Sequence, residues 1–178
     1  GHDIFTIIEI KNMETKIMSD IGMDILVSTS IYDFMKTYFY DFFYNNKIVI
    51  EKNCDIKTYK DIVITAKYLT KLIVHYEYFY LYENSMKAIG CIITAIKLMK
   101  LFLKDKFQEN DKIVYEQWTL FLIEQDGIDK MNMDNLVNKI HLAFNHYQKS
   151  KSISKNLNKF MKLPFIDLIK QIKENEKK

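Results

Sequence analysis

The sequence contains no arginine: all 26 of its basic residues are lysine. This removes the side chain whose planar fork grips guanine edges and phosphates bidentately, so a nucleic-acid reader is a poor expectation despite a net charge of +3. Proline occurs once, at Pro164, and the four glycines stand apart at positions 1, 22, 90 and 127. So few turn residues disfavour a sheet of many tight hairpins, and scattered glycines cannot build a Gly-rich phosphate loop. The two cysteines, Cys54 and Cys91, are too few and too far apart for a disulfide framework or a metal knuckle, and the chain reads as intracellular. No secretory signal is visible, and Gly1-His2 reads as a tag-cleavage scar rather than a natural start.

What is present suits helices. The chain has 178 residues, 48% hydrophobic and 28% charged, enough for one domain with a substantial core or one domain with added helices. Its most informative stretch is SMKAIGCIITAIKLMKLFL, residues 85 to 103, which is apolar around most of a helical circumference. Lys87, Thr94, Lys97 and Lys100 form one narrow polar stripe, and Ser85 is the expected N-cap. Small residues at Ala88, Gly90, Cys91 and Ala95 predict close approach by a neighbouring helix. The length approaches that of a membrane span, but three internal lysines, each costing about 3 kcal/mol at the bilayer centre, favour the buried core of a globular fold. This helix is expected to be the post around which the others pack.

Eight helices are read along the chain. Asp3 is a plausible cap for a first helix carrying Ile4, Ile7, Ile8, Ile17, Met18 and Ile21, which Gly22 ends. Ser30 and Asp33 imitate a capping box before IYDFMKTYFYDFFY, where Phe34, Tyr38 and Phe42 share one line and read as core. Residues 45 to 56 are expected as the longest internal loop, with KIVI at 47 to 50 compatible with a short strand. A third helix over Thr58 to Tyr76 presents Ile62, Ala66, Leu69 and Ile73 on one face, and the central helix follows it. The fifth covers Ile113 to Gln125 and is terminated by Gly127, while Asn132 opens a sixth with Leu136, Ile140, Ala143, Phe144 and Tyr147 inward. A short seventh is expected near Ser152 to Phe160, and Pro164 suits the first position of an eighth.

Catalytic signatures do not emerge from this order. His141 and His146 are five apart and so point to different faces, and neither they nor His75 belongs to a zinc-binding pattern. Asp126 and Asp129 flank a helix end without the setting acid and base work needs, and no Ser or Cys stands in a nucleophile motif. No catalytic residue, metal ligand or cofactor site is expected.

Three stretches, in register, carry a resemblance to a known family. NMETKIMSDIGMDI at 12 to 25, YLTKLIVHYEYFYLYENSMKAIGCIITA at 68 to 95 and WTLFLIEQDGI at 118 to 128 resemble the cyclins, specifically the mitotic A/B type. The first looks like the helix that closes the family's first cyclin box, the second like the helices around the second box's centre, and the third like a Trp-led helix ending in Thr-Gly-Tyr. The resemblance implies an all-α fold: a five-helix cyclin box around a buried central helix, with an added N-terminal helix and C-terminal helices. It divides the chain into 1–27, the closing helix of a truncated first box; 28–149, the second box; and 150–178, a C-terminal extension.

The implied function is regulatory. A cyclin binds and activates a cyclin-dependent protein kinase in cell-cycle control, in nucleus and cytoplasm, without being an enzyme itself. The glutamate of the family's Met-Glu pair, by position Glu14, would grip the kinase's regulatory helix, with Met18, Met23 and Ile25 as apolar contacts on the same surface. Read only as helix residues, Glu14 would make a solvent or i,i+4 contact worth a few tenths of a kcal/mol (about 0.3). Departures from the family pattern are Asn84 before the central helix in place of proline, Met23 in place of phenylalanine, and Gln125-Asp126-Gly127-Ile128 at the Thr-Gly-Tyr position. These leave the A/B subtype and the identity of the kinase open. A cyclin-fold transcription-factor module or a scaffold without kinase activation is the alternative, and a helical enzyme a more distant one.

Overall fold

The computed structural model describes residues 6, 9, 11–13, 15–16, 29–53, 56–102 and 109–149. The chain divides into two compact units, Gly1–Ser30 and Ile31–Lys178. In the first, the described residues from 9 to 16 are helical, and their start is a reciprocal cap. Thr6 donates its amide N–H and its hydroxyl to Glu9 Oε2 at 2.7 and 2.8 Å, and the Glu9 amide N–H returns to Thr6 Oγ1 at 3.3 Å. These bonds hold the Glu9 carboxyl below its ordinary pKa. The capping contacts therefore belong to Thr6 and Glu9; Asp3, the expected cap, and Gly22, the expected stop, lie outside the described residues. So do the expected seventh and eighth helices with Pro164, and Cys54.

The described part of the second unit is all-helical. It comprises α1 (Ile31–Asn53), α2 (Ile56–Ile73), a 3-10 turn (Glu77–Phe79), α3 (Asn84–Phe102), α4 (Glu109–Gln125) and α5 (Lys130–Lys149). Helix α1 overturns one expectation: residues 45 to 53 continue the helix instead of forming a loop or a strand. The stretch lacks proline and glycine, so nothing in its backbone chemistry stops a helix already nucleated by the aromatic face before it.

Helix α3 contacts each of the other four α-helices. Every residue from Lys87 to Ile96 is buried, and the cause is the apolar pattern of the sequence, which covers most of the helical circumference and leaves little surface suited to water. The expected polar stripe is only half real. Lys97 is exposed and Lys100 reaches Glu116 Oε1 at 2.6 Å, but Lys87 and Thr94 are buried. Thr94 satisfies its hydroxyl within the helix by donating to the Gly90 carbonyl at 2.8 Å, which is how a mid-helix threonine tolerates burial. The cap also shifts. The Glu83 carbonyl accepts the Lys87 amide N–H at 2.9 Å, so the helix begins at Asn84 and Ser85 already stands inside its first turn.

Gly90 explains how α5 seats. A Cβ there would lie 3.0 Å from both Ile140 Cδ1 and Leu136 Cδ2, so two side chains of α5, rather than its backbone, occupy the notch. Leu136, Ile140, Ala143, Phe144 and Tyr147 are all buried, as their spacing predicts. On the other side, Trp118 of α4 stacks on Phe42 of α1 with ring centroids 4.1 Å apart and lies 5.4 Å from Phe39. Ile62, Ala66, Leu69 and Ile73 of α2 are fully buried, although that helix starts two residues earlier and stops three earlier than expected.

The α4–α5 corner is set by local chemistry. Gly127 adopts φ 60°; its N–H donates to the Glu124 carbonyl and that of Ile128 to the Ile123 carbonyl, both at 3.1 Å. This is a Schellman ending, and Ile123 and Ile128 both pack against the core beside it. Asp129 then accepts the Asn132 amide N–H on Oδ2 at 3.0 Å. Asp129, not Asn132, is thus the N-cap of α5, since its short carboxylate reaches the third amide of the helix. Asp126 accepts the Tyr38 hydroxyl at 2.6 Å, tying the corner to α1.

Candidate functional site

The four residues expected to contact a kinase, Glu14, Met18, Met23 and Ile25, lie outside the described residues. Around them, Met13 is exposed and the Thr15 hydroxyl donates to the Lys11 carbonyl at 2.9 Å.

The described surface offers a different feature, a groove of 590 Å³ between α1 and α2. The two helices run antiparallel. Lys67 Nζ lies 5.4 Å from the Tyr32 ring centroid at one end, and the Tyr59 and Phe39 rings meet edge to face at 5.8 Å at the other. Along α1 the lining falls at Tyr32, Met35, Lys36 and Phe39, and along α2 at Tyr59, Lys60, Val63, Ile64 and Lys67. Both sets recur at helical spacing, so each helix presents one continuous stripe. Met35 and Phe39 are buried and form the floor with Val63. Tyr32 and Ile64 are 46% and 37% exposed and stand as walls.

The polar groups of the groove divide into committed and free. Tyr59 donates its hydroxyl to the Phe39 carbonyl at 3.0 Å, and burial pushes its pKa up to about 12, so it is a fixed strut and not a proton donor near neutrality. Lys36 and Lys60 are exposed, and Lys67 is half-buried with its charge over the Tyr32 ring. Among the described residues the lining carries three cations and no carboxylate. The arrangement can bind apolar groups between positive rims.

Other polar clusters do not assemble chemistry. Among the described residues, no group of three or more His, Cys, Asp or Glu side chains is placed to hold a metal ion. Cys91 is fully buried in α3, and its thiol is pushed up to about 12 by desolvation, partly offset by the Thr70 hydroxyl and the Lys87 charge. It is therefore a protonated packing residue at neutral pH. Lys87 is lowered by the same burial, with a small opposing contribution from Cys91. His146 Nδ1 lies 3.3 Å from the Tyr76 hydroxyl, which also donates to the Ala143 carbonyl at 3.3 Å, a link between the loop before α3 and α5. Among the described residues no helix is long and apolar enough to cross a membrane.

Comparisons of the chain with family models, curated proteins and solved structures give no match. The groove went unseen in the sequence, although a signal was there. Val63 and Ile64 add apolar side chains beside the Ile62–Ala66–Leu69–Ile73 face, more than one buried stripe of α2 needs, and Lys60 and Lys67 bracket them.

Proposed function

We propose that this chain is the second-box portion of a cyclin-type regulatory subunit, which binds a cyclin-dependent protein kinase and favours its active conformation. One observation carries the reading. The stretch that resembles the family's central helix, residues 85 to 103, falls on the helix Asn84–Phe102, which contacts the four other described helices of its unit and is buried along most of its length. The apolar pattern that carries the resemblance is also what buries this helix, and a central helix so placed is what the reading requires. In this reading the five helices α1 to α5 are the box, and the protein supplies no catalytic group.

Activation by such a subunit is differential binding. A kinase element is ordered only if contacts available in the active state outweigh the cost of ordering it, and a rigid helical surface provides them with little loss of its own entropy. Glu14 is proposed to pair with the kinase's regulatory helix while Met18, Met23 and Ile25 bury apolar surface beside it. Helices α1 to α5 would be the second box of the same subunit. Nuclear and cytoplasmic residence and a cell-cycle role belong to the same proposal.

The test is capture of kinase activity from native cell extract on three baits: a form extended upstream through a first box, the same form with Glu14→Ala, and the present chain. The extended form should capture a protein kinase. Glu14→Ala should reduce it about tenfold, equivalent to about 1.4 kcal/mol of contact energy, and the present chain should capture little. Absence of kinase activity on the extended form would end the proposal and leave a scaffold or transcription-factor module as the reading.

A further inference from the structure

We propose that the groove between α1 and α2 docks an acidic amphipathic helix of a partner protein. The inference is independent of the kinase reading, since it uses no residue from 12 to 25.

The groove's dimensions suit a helix. Its α1 lining runs from Tyr32 to Phe39 and its α2 lining from Tyr59 to Lys67, which at 1.5 Å per residue is about 10 to 12 Å, or two helical turns. That length takes apolar side chains at positions i, i+4 and i+7 of a guest helix, the usual anchor pattern for a helix lying in an apolar groove. The volume of 590 Å³ is large enough for three such side chains and too open to be a packing defect of the core.

Charge decides the occupant. Lys36, Lys60 and Lys67 border the apolar floor, and the nearest carboxylates along these helices, Asp33 and Asp61, are not part of the lining. A guest flanked by Asp and Glu would place opposite charge against each lysine, whereas a basic guest would be repelled, so the rim selects as well as attracts. A second copy of this chain is a poor guest, because its net charge of +3 opposes the rim. A nucleic-acid strand is also a poor fit: Met35, Phe39, Val63 and Ile64 offer apolar surface where phosphates would need donors, and the lysines surround the floor instead of tracking a backbone. The aromatic wall Tyr32, already under the Lys67 charge, provides the flat face against which an aliphatic anchor packs.

The experiment uses the full chain and a synthetic peptide of about 14 residues, four turns of helix, with Leu at i, i+4 and i+7 and Glu at most other positions. Two twins control it: one with Lys for every Glu, one with Ala for every Leu. Binding is read by fluorescence anisotropy, and the contact surface by backbone amide chemical shifts. The Glu peptide should bind at least about tenfold more tightly than either twin, and more weakly as salt rises from low to several-fold physiological strength. Its shifts should centre on Tyr32, Ile64 and Lys67. Ile64→Gln should weaken it about tenfold while leaving the helical circular dichroism unchanged, and Lys36→Gln with Lys60→Gln should flatten the salt dependence.

Equal affinity for the Glu and Lys peptides would remove the charge argument and overturn the proposal. Binding that survives both sets of substitutions, or shifts that centre elsewhere, would place the contact outside the groove and do the same. Displacement of the Glu peptide by a polyuridylate at lower concentration than unlabelled peptide would make the rim a phosphate site. No binding of any peptide would overturn it outright.

Discussion

The seam between α3 and α5 and the groove between α1 and α2 are made from similar apolar side chains, yet the first is closed and the second open. At the seam, Gly90 removes a side chain where Leu136 and Ile140 arrive, so bulk on one helix meets a notch on the other. In the groove both helices bring bulk. Phe39 meets Tyr59 at one end and Tyr32 sits under Lys67 at the other, and these large groups prop the outward faces apart. The inner faces of the same two helices pack against α3. Closure therefore depends on matching large with small across an interface, and on a third element being present to cover what remains.

The contrast can be broken most severely at the seam. Leu136 is fully buried against Gly90, and Leu136→Ala should leave a cavity that costs about 3 kcal/mol, within the range for buried leucines. Chemical denaturation with an unchanged slope would report it; a loss below about 1 kcal/mol would mean that α5 collapses into the gap. Gly90→Val attacks the same contact from the other side. It fills the notch with a branched side chain against two atoms already 3.0 Å from a single Cβ, and about 2 kcal/mol of destabilisation is expected from overpacking. Combining the two substitutions sharpens the point: if bulk against notch is the cause, the pair should cost less than the sum, because the removed leucine makes room for the valine.

The groove should respond least. Ile64 is 37% exposed and makes a wall, so Ile64→Gln is expected to change the unfolding free energy by less than about 0.5 kcal/mol. A larger loss would show that the wall supports the α1–α2 packing, and would turn the groove from a free surface into part of the core. A small loss beside a large effect on peptide binding would separate the two regions by role: one holds the fold, the other is left available.

Legibility followed the same division. The identity of α3 as the hub could be read because its apolar residues cover most of its circumference, and the inward positions of α2 and α5 because their spacing selects one face. The Gly127 stop was equally readable, since glycine alone enters φ 60° without a Cβ penalty. Caps were read less well. Ser85 and Asn132 are good capping residues in isolation, but the helices begin at Asn84 and Lys130, where the preceding chain direction and, at α5, the Asp129 carboxylate decide the start. Over residues 45 to 53 polarity suggests a loop, whereas the helix continues because no proline or glycine stops it.

By itself, then, the sequence determined that the chain is helical, which stretch lies at the centre and which faces turn inward, because these follow from the period of apolar residues and the energetics of keeping them from water. Its departure from strand-forming patterns and its shortage of glycine and proline determined the class as well. Only the tertiary structure decided that Lys87 and Thr94 would be buried with the core, that Gly90 would receive two side chains of α5, and that three lysines from two helices would gather around one apolar groove. Those outcomes depend on which helices meet and at what separation, and residues distant in sequence carry no local signal of the surface they will share.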